Sequence, residues 1–298
     1  MYYNILYTKH QQTENIMSKL TDIQEQITTS VINGLSTYKK WIPSFQAGGL
    51  PRSIGTGNAY TGVNTLLLMF AGFGSPYFGT YKAWKATGSF VKKGQKATRI
   101  IFFKPVFCKE NPEEIKYMNT KIYSVFNIEQ VELSEEAKAK FEIKDGVKAE
   151  GSLLDYFNHS DAPQLVTGAP AYRPLSDTIS IPSNFKTSEA AVSVLAHEIV
   201  HSTGAKSRLN RDGVANFDKF GSHQYSYEEL IAELGAMFIC AELGANSEDV
   251  KENSQAYINS WIKKLEENPT WIYKASKEAS KAVEYIMTRI EKKEIAAA

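Results

Sequence analysis

Cysteine is almost absent: Cys108 and Cys240 are the only two in 298 residues. They are far apart and each has apolar neighbours, which fits two buried thiols in a reducing cytoplasm better than a disulfide. Long apolar runs are missing too. Leu66 to Ala71, a run no other exceeds, falls far short of the ~18 residues of a membrane span, so no membrane partner is expected. The N-terminus has no basic region followed by an apolar stretch, which excludes a secretory signal and leaves a cytoplasmic protein. There are no internal repeats, and no helix-turn-helix or zinc-finger spacing argues for reading a DNA duplex. Acidic residues are scarce at the front. Residues 1–110 hold four of them against 13 Lys and Arg, a balance of +9, and with the whole chain at +1 the remainder carries −8.

What is present is an ordinary globular composition, 43% hydrophobic and 22% charged, on a chain long enough for two domains. A basic front half joined to an acidic back half implies two jobs. Residues 1–17 are polar and patternless, a disordered leader. Ile23, Ile27, Val31 and Leu35 recur at helical spacing, opening an N-terminal domain over 18–135. A Gly/Pro-rich loop covers 43–62, and Val63 to Phe70 is a buried helix or strand. Phe90–Val91, a lysine-rich turn and Thr98 to Phe103 read as a β-hairpin, with a further strand over Lys121 to Leu133. The lysine-rich acidic segment 136–150 is the linker. A second domain, 151–298, holds a short strand, Asp177 to Ile181, and helices over Ser188–Ser202, Tyr227–Leu243, 253–267 and 269–292. The fold class expected is α+β in two domains, a small mixed one followed by a helix-rich one.

The chemistry concentrates in His197-Glu198-Ile199-Val200-His201. On a helix, residues four apart stack on one face, so both imidazoles can reach one metal ion. Glu198 projects about 100° round the helix, within reach of a metal-bound water. Coincidence alone could produce this five-residue pattern. The surrounding Val192, Val194, Leu195, Ile199 and Val200 argue otherwise, because two histidines and a glutamate buried there need a charged partner. A zinc ion takes three protein ligands and leaves the fourth position to water. Downstream, Glu229 and Glu233 share a helical face while Glu228 lies off it. Glu229 is the expected third ligand and Glu233 the group orienting a histidine, with their exchange as the alternative and His223 as a lesser rival. A bland reading of Glu229 is a capping box with Ser226. The cofactor is Zn²⁺, with Mn²⁺ or another divalent ion also admitted by a His₂Glu site. Glu198 would act as general base. The strand Asp177 to Ile181 would be an open edge for an extended peptide, and Tyr225, Tyr227 and Arg208 are candidates to hold an oxyanion.

In the front half, lysines are interleaved with aromatics. The candidate contacts to single-stranded DNA are Lys39, Lys40, Trp41, Arg52, Tyr60, Asn64, Lys82, Trp84, Lys92, Lys93 and Lys96, pairing phosphate contacts with stacking faces. Against this, Trp41 and Trp84 could equally be core.

Taken together, these residues resemble the ArdC family of plasmid antirestriction proteins, whose N-terminal domain also occurs in TraC-type primases. In the back half the resemblance rests on His197 to Gly204, Ser207 to Arg211, Tyr227 to Gly235 and Tyr257 to Ile262. In the front half it rests on Trp41, Pro51, Thr56-Gly57, Tyr60 to Asn64 and Val91 to Gly94. It implies a single-stranded-DNA-binding domain fused to a zincin-type metallopeptidase domain with a glutamate third ligand. The function expected is antirestriction, by binding single-stranded DNA entering in conjugation, with a peptidase aimed at an unknown protein. Two other readings stay open: a DNA-binding protein whose metal site is inert, and a cytosolic peptidase with no DNA role.

Overall fold

The computed structural model describes residues 26–33, 49–107, 115–141, 153–215, 223–245 and 262–296. The leader, Lys39, Lys40, Trp41 and Cys108 lie outside these residues, as do the side chains of His223 and Tyr225.

After helix α1 (26–33), the front half is built on a four-stranded sheet. Its strands are β1 (Arg52–Ser53), β2 (Tyr77–Thr80), β4 (Thr98–Phe107) and β5 (Ile115–Asn127), in the order β1-β2-β5-β4. Helix α2 (Val63–Met69) is buried along its whole length. Helix α3 (Tyr81–Ala86) starts at Thr80, whose side chain accepts the Ala83 N–H.

The hairpin expected between Phe90 and Phe103 does not form. Strand β3 (Phe90–Val91) pairs instead with β6 (Val131–Glu132), and β4 forms a long hairpin with β5. The reason is a small second core in which Val91 and Val131 pack with Ile54 and Trp84. Helix α4 (Glu135–Lys140) supplies Ala137 to that core, and Phe141, just after it, sits edge-on to Trp84 at 5.9 Å. The acidic segment therefore begins as a packed helix.

The back half has a three-stranded sheet in the order β7-β9-β8, made of Gln164–Thr167, Thr178–Ile181 and Ala171–Arg173 respectively. Strand β9 pairs with β7 on one side and β8 on the other. The segment Asp177 to Ile181 is thus the central strand and not an open edge, because both sides of its hydrogen-bonding ladder are used. The two edges are β7 and β8.

The helices that follow are α5 (Ser188–Thr203), α6 (Asp212–Ala215), α7 (His223–Glu242), α8, described over 262–267, and the long α9 (Trp271–Ala296). Thr187 caps α5 by accepting the Ala190 N–H at 3.2 Å. Helix α9 buries Ile272, Ala275, Ala279, Ala282, Val283, Ile286 and Ile290, a stripe at i, i+3, i+4 and i+7. Among the described residues no helix is long and apolar enough to cross a membrane.

The main core is continuous across both halves. Val63, Leu66, Phe78, Ile100 and Val125 from the front pack in one cluster with Leu195, Ile199, Leu234 and Ile286 from the back. Contacts between the halves reinforce it. The Gly62 N–H donates to Ser280 Oγ at 2.8 Å, and Phe103 meets Tyr273 edge-on at 5.9 Å.

Helices α5 and α7 cross where Gly235 meets Val200. A Cβ at 235 would lie 2.7 Å from a Val200 methyl. Gly235→Ala is expected to cost about 1–3 kcal/mol through overpacking. The check is a lower urea midpoint at an unchanged m-value.

Candidate metal centre

Helix α5 delivers the two histidines and α7 the carboxylates. The histidine rings stand one turn apart, with Nε2 to Nε2 at 3.1 Å. Glu229 faces this pair of nitrogens, 3.3 Å from His201 Nε2 and 3.7 Å from His197 Nε2. The ligand-type atoms of His197, His201 and Glu229 all lie within 4.8 Å of one another. Since α7 begins at His223, Ser226 sits inside the helix and its hydroxyl accepts from Lys264 Nζ at 2.9 Å. The capping-box reading of Glu229 therefore falls.

Both histidines have a carboxylate behind them. Glu233 stands 3.6 Å from His197 Nδ1, on the side away from the paired Nε2 atoms. Glu228 stands 3.4 Å from His201 Nδ1. Spacing alone puts Glu228 off the shared face, yet it holds the second ring. It is itself gripped by Arg211, whose Nε and Nη2 donate to its two oxygens at 3.0 and 2.6 Å. Arg211 is buried and spends its other donors on Thr203 Oγ1 and the Val200 carbonyl, both at 2.7 Å. Gly204 lets this arginine approach, since a Cβ there would lie 3.0 Å from Arg211 Nη2 and 2.6 Å from Val214.

The electrostatics follow from burial and from these partners. Burial and the neighbouring His201 push His197 down to about 3. Burial also disfavours the His201 cation, but Glu228 and Glu229 outweigh it and lift that ring to about 10. Burial, helped by Glu229, raises Glu233 to about 7. Glu198 is buried and its pKa is raised for the same reason, while His201 and the Tyr172 backbone N–H pull it back. Strand β8 thus lies beside the glutamate of the motif. Burial raises the Cys240 thiol to about 12, so this side chain, packed against the core, is an unreactive thiol.

Such a donor set suits a divalent cation: two imidazole nitrogens and one carboxylate converge, and each ring is steered from its far nitrogen by a carboxylate. Of the oxyanion candidates, Arg208 is excluded. Its side chain is fully buried, donating to both Asp177 oxygens at 2.9 and 2.7 Å and to the Ser202 and Asp161 carbonyls. Tyr227 packs edge-on against Trp271 at 5.3 Å.

The front-half candidates separate into two groups. Trp84 is 0% exposed and its indole N–H donates to the Phe126 carbonyl at 3.0 Å, so it offers no face to a base. The Asn64 amide is buried and exchanges two hydrogen bonds with the Ile101 backbone, at 2.7 and 2.9 Å. Arg52 is ion-paired with Glu242 at the end of α7. Lys82, Lys93 and Lys96 are exposed, and Lys92 is exposed with Nζ donating to the Glu129 carbonyl at 2.9 Å. Tyr60 is half-buried.

Comparison with known proteins places this geometry. Residues 155–278 match the zincin-like metallopeptidase model, and residues 21–141 match the N-terminal domain of anti-restriction factor ArdC. The structure superposes on the metal-free crystal structure of antirestriction protein ArdC from plasmid R388 with a TM-score of 0.70. The two are 30% identical, over 91% of this chain and 98% of that one. The chain belongs to the ArdC family. The Mn(II)-bound crystal structure of the R388 ArdC protein matches with a TM-score of 0.67 at 29% identity, over 90% and 97% of the two chains. Protein y4eC of Sinorhizobium fredii is 30% identical over 89% of this chain and 92% of its own length. Two DNA primase TraC proteins of Escherichia coli are 29% identical over 92% of this chain, which spans only 27% and 20% of their lengths.

Two outcomes are expected at this centre. Glu228→Gln should weaken divalent-metal binding by about 10–100-fold, measured by calorimetry with Zn²⁺ and Mn²⁺. Arg211→Met should instead destabilise the fold, by about 3–5 kcal/mol, because it leaves a buried carboxylate without its cation. A pH dependence follows from His201. A ring held near 10 carries a proton at pH 7 that a metal ligand must lose. Metal affinity should therefore tighten as pH rises, with close to one proton released per ion bound. Calorimetry in buffers of different ionisation enthalpy counts that proton.

Proposed function

We propose that this chain is an antirestriction protein that binds single-stranded DNA entering by conjugation and carries a divalent-metal peptidase centre in its back half. The observation that carries the reading is the convergence of His197, His201 and Glu229 in a chain whose front half matches the ArdC N-terminal domain. In this reading His197, His201 and Glu229 hold Zn²⁺, or Mn²⁺ as in the R388 relative, with Glu233 and Glu228 orienting the rings. When bound, the cation polarises a peptide carbonyl and acidifies water. Glu198 takes the proton from that water and returns it to the leaving amine. Burial raises its pKa, which favours holding the proton once it has been taken. An extended peptide would lie along the edge strand β8, beside Glu198, pairing by its backbone. The domains proposed are 18–135 for DNA and 151–298 for the peptidase, joined by 136–150. The basic front half supplies phosphate contacts, and single strands offer bases that aromatic rings can reach.

The test uses the full chain. A labelled single-stranded oligonucleotide should bind more tightly than its duplex, with affinity falling as salt rises. Glu198→Gln should leave that binding and the metal affinity intact while cutting hydrolysis of a fluorogenic peptide library by at least about 100-fold. Equal hydrolysis by wild type and variant would remove the peptidase half of the reading. Equal affinity for strand and duplex would remove the other half.

A further inference from the structure

The sheet of the front half carries an aromatic surface that no contact described above uses. On the β4–β5 hairpin, Phe102 pairs with Lys121 and Ile100 with Tyr123, so these four side chains share one face. Phe102 is 46% and Tyr123 41% exposed, and the two rings meet edge-on at 5.3 Å. They stand over a groove of about 640 Å³ whose other wall comes from the loop 53–61, with Tyr60 half-buried in it. Among the described residues the lining contains Lys121 and no carboxylate, in a chain with nearly as many acids as bases. The remaining polar groups are hydroxyls and amides, including Ser53, Thr56 and Asn58.

Two exposed rings over a groove, one cation and no anion describe a ligand with flat faces and a negative backbone. Proteins seldom leave such an aromatic pair in water without a partner for it. We infer that a single nucleic-acid strand lies in this groove, its bases stacked on Phe102 and Tyr123 and its backbone drawn to Lys121. The inference rests on the single-stranded-DNA reading above and moves the stacking role away from Trp84, which is internal. Stacking on rings is tolerant of base identity, which suits DNA of any sequence. A duplex hides its base faces and cannot use the rings.

The experiment is fluorescence anisotropy with a labelled oligothymidylate, using the full chain. Phe102→Ala and Tyr123→Ala should each weaken binding on the order of tenfold, with melting temperature and metal affinity unchanged. Lys121→Ala should flatten the salt dependence by about 0.7 in slope. Phe102→Trp keeps a stacking face, so it should bind as wild type does and its added indole emission should be quenched by the oligonucleotide. Wild-type affinity in both alanine variants, with no quenching of the added indole in the Phe102→Trp protein, would place the strand elsewhere while leaving DNA binding intact. Absence of binding by the wild-type chain would instead overturn the DNA reading and the groove assignment together, leaving the groove to an extended peptide.

Discussion

The back half is governed by one electrostatic constraint. Within six residues, α7 turns three glutamates toward a seam that α5 otherwise fills with Val192, Leu195, Ile199 and Val200. Like charges in a desolvated seam repel strongly and must be compensated or neutralised. Arg211 takes Glu228 in a two-pronged grip inside the protein. Glu233 answers by a pKa raised to about 7. Glu229 is left between two Nε2 atoms, one on a ring pushed down to about 3 and one on a ring held near 10. A divalent cation satisfies all of these groups at once, because it favours neutral imidazoles and anionic oxygen together. The local backbone serves the same end. Gly204 and Gly235 remove the side chains that would hold Arg211 and α5 away.

Much of this centre is legible in the residues alone, since helical spacing is a rigid rule. Two histidines at i, i+4 and glutamates at i, i+4 on a second helix must present paired groups wherever the helices meet. Glu228 escaped because adjacent residues on a helix point about 100° apart. That rule decides which residues share one face, not what happens when a ring stands between them. His201 offers Nε2 to one side and Nδ1 to the other, so Glu229 and Glu228 reach the same ring from either side. Arg211 could not be assigned from spacing either, because its partner is 17 residues away and only the fold joins them.

Strand pairing was less legible. Phe90–Val91 and Thr98–Phe103 are close in sequence with a lysine-glycine turn between them, and proximity favours a hairpin. The contest was settled by burial. Pairing with Val131 lets Val91 cover Trp84, which a hairpin with β4 would forgo. The same burial accounts for Trp84 itself. A tryptophan flanked by lysines reads equally as a stacking platform and as a core residue with snorkelling neighbours, and the hydrogen bond from its indole to Phe126 belongs to the second case. Phe102 and Tyr123, which remain exposed along with Tyr81, Phe90 and Phe103, have Lys104 and Lys121 near them in sequence, but only the cross-strand register shows that they meet.

The two halves are joined by backbone and ionic contacts as well as by the shared core. Gly49 donates to the Ala241 carbonyl at 2.8 Å, the Leu50 N–H donates to Glu242 at 2.6 Å, and Arg52 is ion-paired with the same carboxylate. These bonds satisfy carbonyl and side-chain groups at the last turn of α7, the helix that also carries Glu229 thirteen residues earlier. A helix rises about 1.5 Å per residue, so Glu242, which anchors Leu50 and Arg52, and Glu229, which faces the histidines, lie some 20 Å apart on one helix. The shared core opposes rotation of one half against the other. Separating the halves would expose Val63, Leu66 and Phe78 on one side and Leu234 and Ile286 on the other. The two sites are therefore best regarded as parts of a single folding unit, in which a ligand at either one binds a surface whose shape the other half helps to hold.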